Sequence, residues 1–404
     1  MHIPMSGPSI TEQEIRAVNE VLRTPVLSIG PWLERFERAV AAFVGARHAA
    51  GVSSGTAGLH LCVIAAGLSD GDLCITTPFT FVATANCLLY QRAVPVFVDI
   101  DPVSLNMDPG MASAAADAIA AGGAEAARFL PPALREPRAR DSVGRLKAIM
   151  PVHTFGQPTD MDPILDVAQR HGLAVIEDAC ESLGATYKGR PAGTLGDAAV
   201  FAFYPNKQIT TGEGGMVVTD RGDWDALFRS LRNQGRDVFD SWLDHSRLGY
   251  NYRMDEMSAA LGVAQMGRIE ELLARRERVA RMYNERLASL DGVSIPRIVP
   301  TTTRMSWFLY VVRLSDDIDR ATVMGYLQEH GVPSRAYFPP VHLQPFYRDR
   351  FGYSGGEFPV CERVARSTLA LPFSGVMAEE QVDLVCDRLR RAVEHARARR
   401  ALRP

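Results

Sequence analysis

The feature that most constrains this chain is an alternation of short, continuous apolar runs with helical segments. "LCITTPF" leads into "FVATANCLLYQ", "VPVFVDI" follows, "LKAIMPV" precedes "MDPILDVAQRHG", and "LAVIEDA" comes next. Strands that are apolar at nearly every position must be covered on both faces, which calls for parallel strands joined by crossover helices. The expected class is therefore α/β with a mostly parallel sheet. Two amphipathic helices should precede it. In "TEQE", Thr11 can cap and Glu14 can reach back, which puts Ile15, Val18, Val21 and Leu22 on one apolar face. "WLERFERAVAAFVG" carries Trp32, Phe36, Val40 and Phe43 at helical spacing and stops at Gly45.

Beyond the strands "AAVFAFYP" and "GGMVVTD" come a helix "RGDWDALFRSLRN" and a helical region over about 254–289. "WFLYVVRL", "DRATVMGYLQEHG" and a terminal helix near 378–397 then predict a smaller α/β unit. A chain of 404 residues suits two such units, placed at 1–265 and 266–404. Residues 111–147 break the rhythm: an alanine-rich helical stretch is followed by "LPPALREPRARDSVGR", expected to be an exposed connection.

A formal charge of −3 gives no reason to expect nucleic acid or an anionic membrane as partner. The basic tail "RLRRAVEHARARR" reads as a solvated helical face. The six cysteines form no Cys-x-x-Cys pair, so no metal site is expected and reduced, buried thiols are. The N-terminus lacks the basic and apolar segments of a secretory signal, and no run is long enough to span a bilayer, so a cytoplasmic location is expected.

Glu177 and Asp178 end a hydrophobic strand, where ligand sites of open parallel sheets lie, although such a pair can equally cap or solvate the strand end. Lys207 follows another strand and can reach the same crevice. A carboxylate for a pyridine nitrogen and an amine for an aldehyde make pyridoxal 5'-phosphate the cofactor to test. Its phosphate needs amides and hydroxyls, which Gly55 and Thr56 in "SGTAGLHL" offer at a helix start. Its ring needs an apolar wall, for which "TPFTFVAT" supplies Phe79 and Phe81, Phe81 being closer to the following helix. The glycines of "GEGG" allow a close turn around the lysine and match neither nucleotide-binding fingerprint.

These motifs occur in order across nearly the whole chain. "SGTAGLHL", "TPFTFVATAN", "VPVFVDIDP", "VHTFGQPTDMDPI", "VIEDACESLGATYKGR", "FYPNKQITTGEGGMVVT", "LGYNYRMDEMSAALGVAQM" and "YFPPVHLQPFY" together resemble the DegT/DnrJ/EryC1/StrS family of pyridoxal-phosphate-dependent sugar aminotransferases. The resemblance implies a fold-type I enzyme with a large cofactor-binding domain and a small C-terminal α/β domain. It also implies that Lys207 holds the cofactor aldehyde, Asp178 partners the ring nitrogen, Phe81 stacks on the ring, and Gly55 and Thr56 grip the phosphate. Glu181 falls where members carry a residue near the ring hydroxyl. Asn251 matches an asparagine that reaches the phosphate from the neighbouring subunit, so a homodimer is implied. L-Glutamate as donor, pyridoxamine 5'-phosphate as the aminated cofactor and a nucleotide-linked keto-sugar as acceptor follow by the same analogy. Lys188, Arg190, Arg335 and His342 are candidates for contacts to that substrate.

Two features depart from the pattern. Many members carry Ser where this chain has Ala202, and Ala202 lacks the hydroxyl that would help hold the phosphate. The segment 111–147 is longer than the family leads one to expect. Rival readings are a cyclitol or other cyclic-ketone aminotransferase, a pyridoxamine-dependent sugar dehydratase, which Lys207 argues against, and a non-catalytic regulatory protein.

Overall fold

A computed structural model describes residues 3–140, 142–237 and 244–401, without the side chains of residues 139 and 140. Among the described residues, thirteen strands run in chain order. They are β1 (His48–Val52), β2 (Leu73–Thr76), β3 (Val94–Phe97), β4 (Leu146–Ile149), β5 (Ala174–Asp178), β6 (Thr186–Tyr187), β7 (Arg190–Pro191), β8 (Ala198–Ala202), β9 (Gly215–Thr219), β10 (Val293–Ser294), β11 (Thr302–Arg304), β12 (Tyr310–Leu314) and β13 (Thr368–Leu371). Seven of them form the main sheet in the order β1-β9-β8-β5-β4-β2-β3. Only β9 runs against its neighbours; the pairs β5–β8, β4–β5, β2–β4 and β2–β3 are parallel. The α/β class expected from the unbroken apolar runs is the one observed. Buried residues such as Ile75, Val96, Ile149, Ile176 and Val200 have no exposed face to alternate with.

Two smaller sheets lie outside it. Strand β12 pairs with β10 and β13, whereas β11 of the C-terminal half pairs with β6 of the N-terminal half. The C-terminal core gathers Val279, Tyr283, Trp307, Tyr310, Leu369, Val382 and Leu389, together with Ile3 from the far end of the chain. The helix Ile269–Leu287 divides its length. Its first turns, Ile269, Leu272 and Leu273, pack with Phe36 and Phe203 under the main sheet, and its later residues join the C-terminal core.

Three local expectations change. The first helix, Glu12–Leu22, has the capping box, with the Thr11 N–H donating to Glu14 at 2.7 Å. Its buried face, however, is Glu14, Ala17 and Val21, while Ile15 and Leu22 are exposed. Glu14 turns inward because Arg268 at 2.9 Å and the Gln265 amide at 2.8 Å satisfy its carboxylate there. The helical region over 254–289 is two helices, Glu256–Met266 and Ile269–Leu287, broken at Gly267–Arg268. Glu256, fully buried, accepts the backbone N–H groups of Gly30, Trp32 and Leu33 at 2.8–3.0 Å and so caps the helix Pro31–Val44. Finally, the excursion after residue 129 is not merely an exposed connection. It folds into short turns at Pro132–Leu134 and Pro137–Arg140, and Leu130 and Leu134 join the core around Tyr347 and Phe351.

Candidate active site

The carboxyl ends of β1, β2, β5 and β8 open onto one cavity of about 480 Å³. Strand β5 brings Glu177 and Asp178 to that edge, and strand alternation sends them apart. Glu177 is fully buried on the far side. It accepts the N–H groups of Gly193, Leu195 and Gly196 at 2.7–2.8 Å and lies 2.9 Å from His153 Nε2. Burial alone would raise its pKa, but those hydrogen bonds and the His153 contact hold it below the usual carboxylate range. Asp178 lines the cavity, where the Thr84 hydroxyl donates to it at 2.6 Å and the Cys180 N–H at 3.2 Å. The two acids have separate work: Glu177 staples a turn, and Asp178 faces the open space.

Lys207 follows β8 in a turn whose N–H bonds back to Tyr204 O at 2.9 Å, and its side chain is 13% exposed at the cavity wall. Its Nζ lies 3.6 Å from Glu181 Oε1 and 3.7 Å from the centroid of the Phe308 ring. Glu181 also accepts the Phe155 N–H at 2.8 Å; burial pushes its carboxyl pKa up, with the Lys207 charge opposing that shift.

The helix Gly55–Ala65 starts at the same edge, capped by the Ser54 hydroxyl, which accepts the Ala57 N–H at 3.1 Å. Gly55 is required by close approach: a Cβ there would sit 2.8 Å from the Ala202 Cβ and 2.9 Å from Cys180 Sγ. Gly55, Thr56 and Ala202 all line the cavity. The two phenylalanines of "TPFTF" separate. Phe79 is core, edge-on to Phe155 and Phe338, whereas Phe81 stands 60% exposed on the cavity wall.

The structure thus brings Gly55, Thr56, Phe81, Asp178, Glu181 and Lys207 together. The other five candidates lie outside the lining of this cavity. Asn251 is exposed and forms a backbone bridge to Asn233. Lys188 occupies the β6–β7 hairpin turn, where Lys188 and Gly189 both have positive φ, as a two-residue hairpin turn demands. Lys188 and Arg190 flank the Tyr187 ring and pair with Asp162 at 2.6 and 2.8 Å. Arg335 is exposed and its guanidinium donates to Ser334 O at 3.0 Å. His342 is fully buried, 3.1 Å from Glu362 and edge-on to Phe358 and Tyr353. Its ring is drawn inward by that aromatic cluster.

The sequence profile of the DegT/DnrJ/EryC1/StrS aminotransferase family matches residues 8–390. The chain belongs to that family. It is a pyridoxal-phosphate-dependent aminotransferase. It is 39% identical over 387 residues to the GDP-perosamine synthase of Caulobacter vibrioides, covering 95% of this chain and 96% of that one. It is 37% identical to the spore coat polysaccharide biosynthesis protein SpsC of Bacillus subtilis, covering 98% of both. Among solved structures, DesI in the presence of its TDP-sugar product superimposes with a TM-score of 0.83 at 32% identity, covering 99% of this chain and 95% of that one.

The family cofactor fits the cavity on its own chemistry. A buried carboxylate held by a hydroxyl, an amine, an exposed aromatic face and a helix N-terminus converge on a space large enough for a ring and a phosphate. Thr84, Phe308 and Tyr337 also line this space and escaped the sequence reading. Thr84 had a signal, since it stands one helical turn beyond Phe81 on the same segment. Phe308 and Tyr337 come from the C-terminal half, and nothing in the local pattern ties them to Lys207.

Proposed function

We propose that this aminotransferase moves an amino group from L-glutamate to a nucleoside-diphosphate-linked keto-sugar, in amino-sugar biosynthesis for a polysaccharide or natural product. The observation that carries the reading is the convergence of Lys207 and Asp178 on one cavity with the Phe81 face and the Gly55–Thr56 helix start. The relatives support the sugar class: one is named for perosamine linked to GDP, another for spore coat polysaccharide, and a third was solved with a TDP-sugar.

Bound pyridoxal phosphate supplies the electron sink that lets an amine pass between two carbonyl carbons. Lys207 would hold it at the aldehyde and, once displaced by the donor, carry the proton that must leave one carbon and arrive at another. Asp178, kept in place by Thr84 and the Cys180 N–H, would stay opposite the ring nitrogen as its negative partner. Gly55, Thr56 and the free N–H groups of the helix start would take the phosphate, and Glu181 would face the ring hydroxyl.

A homodimer completes the reading. The exposed residues Ile15, Leu22, Val26, Leu27 and Ile29 near the N-terminus, with Leu248 84% exposed, are apolar surface that a second copy would cover, and Asn251 would reach the partner's phosphate site. Among the described residues no helix is long and apolar enough to cross a membrane. The test is to load the protein with pyridoxamine phosphate and offer GDP-, dTDP- and UDP-linked 3-keto and 4-keto sugars beside a cyclic polyol ketone. Amination of a nucleotide sugar supports the proposal, and turnover of the cyclic ketone alone overturns it.

A further inference from the structure

Arg276 lies in the helix Ile269–Leu287, within the charged run "ARRERVARMY". Despite that charge it is 4% exposed. Its guanidinium donates only to carbonyl oxygens. One nitrogen, Nη1, reaches Trp307 O and Phe308 O, each at 3.2 Å. The other, Nη2, reaches Asn206 O at 3.0 Å and Lys207 O. Among the described residues no carboxylate pairs with it, and the neighbouring Glu277 is taken by the Trp307 indole N–H at 2.5 Å. Burial lowers its pKa to about 10.

A buried cation without an acid is costly, so the position needs more than bulk. Methionine would supply the volume, and a lysine with a carboxylate would supply a satisfied charge. The planar fork alone can hold two separate backbone segments at once, with one nitrogen on each. Those segments are 206–207 and 307–308, and the side chains they carry meet in the cavity, with Lys207 Nζ 3.7 Å from the Phe308 ring centroid.

We propose that Arg276 is a positioning residue that clamps the Lys207 turn to the Phe308 segment and so fixes the reactive amine over the aromatic face. The clamp joins the two halves of the chain beneath the cavity. It rests on the reading of Lys207 as the cofactor-holding amine.

The test compares the holoenzyme with Arg276→Lys, Arg276→Met, Phe308→Leu and the Arg276→Lys/Phe308→Leu double variant. The readouts are kcat, the donor KM, and the visible circular dichroism of the bound cofactor, which reports its orientation rather than global stability. Arg276→Lys keeps the charge but cannot span both segments, so it should behave like Arg276→Met: kcat down on the order of 10²-fold, donor KM nearly unchanged, and visible dichroism diminished. Phe308→Leu should show the same loss, and the double variant should be no worse than either single one. Arg276→Lys with wild-type kcat and dichroism, or losses that multiply in the double variant, would overturn the clamp. So would a silent Phe308→Leu, a result that does not depend on any Arg276 variant folding. A wild-type protein with no Lys207-dependent visible band would instead defeat the functional reading itself.

Discussion

Two lysine-bearing turns flank β8, and they show how little a lysine means without its surroundings. In "YKGR", Lys188 sits at the tip of a hairpin, 46% exposed, with its charge answered by Asp162 at 2.6 Å. In "PNKQITTGEGG", Lys207 leaves a strand end, is 13% exposed, and has its nearest acid, Glu181, at 3.6 Å, outside hydrogen-bond range. Both turns contain glycine, and both stand among the motifs that resemble the family. The difference is where the main sheet delivers them. The β6–β7 hairpin belongs to a small peripheral sheet, whereas β8 ends at the edge where Asp178, Gly55 and Phe81 also arrive. One lysine completes a surface ion pair, and the other faces the cavity with only a loose ionic contact to Glu181.

The sharpest way to break this contrast is substitution of each lysine in turn. Lys207→Ala should lower amino transfer by on the order of 10²–10⁴-fold or more and abolish the visible band, while Lys188→Ala should leave both nearly unchanged. Steady-state kinetics and an absorbance spectrum decide it. Comparable losses from both would mean that the hairpin reaches the substrate.

Glu177 is the brace between the two turns, since it binds the backbone at Gly193, Leu195 and Gly196, between β7 and β8. Glu177→Gln should cost about 3–5 kcal/mol of stability in urea titrations, because a fully buried carboxylate loses its charge-assisted bonds and its contact with His153. An unchanged midpoint would show that the turn is held by other contacts.

A smaller effect should come from Ala202, at the end of β8 and beside Gly55. Ala202→Ser adds a hydroxyl beside the Gly55 helix start, where the proposed reading seats the phosphate, and should tighten cofactor binding by about 10- to 150-fold, equivalent to one hydrogen bond to a charged group of about 1.5–3 kcal/mol. Equilibrium titration of the apoenzyme measures it. No change would mean that the phosphate is already satisfied from elsewhere.

The smallest effect concerns the Lys188 side alone. The hydrogen bond from Lys188 holds the Asp162 pKa below its unfolded value, with burial opposing it. A depressed carboxylate contributes stability above its unfolded pKa and loses it as pH falls through the folded one. Asp162→Asn should therefore remove a slight acid-side loss of thermal stability without altering catalysis, since the pair is half exposed and solvent-screened.

Much of this site was readable because its parts carry local signals. Asp178 ends an unbroken apolar run, Gly55 and Thr56 open a helix, and Lys207 follows a strand, so the sheet rule allows them to meet and the family resemblance picks them out. The division of labour between Glu177 and Asp178 was hidden, because strand pleating decides it and the pair looks alike in sequence. Arg276 was unreadable for a different reason. Helical periodicity assigns an arginine to solvent, and only the tertiary path of two distant segments gives it four carbonyls to bind. Ile15 and Leu22 failed likewise: a buried Glu14 claimed the inner face through Arg268 and Gln265, and left apolar residues outside.

The central claim, that of the two lysines only Lys207 holds the cofactor, has a direct measurement. The holoenzyme is reduced with borohydride, digested and mapped by mass spectrometry. The account predicts the added mass of the reduced cofactor on the peptide containing Lys207, with the Lys188 peptide unmodified. Label on Lys188, or on no lysine lining the cavity, would contradict it.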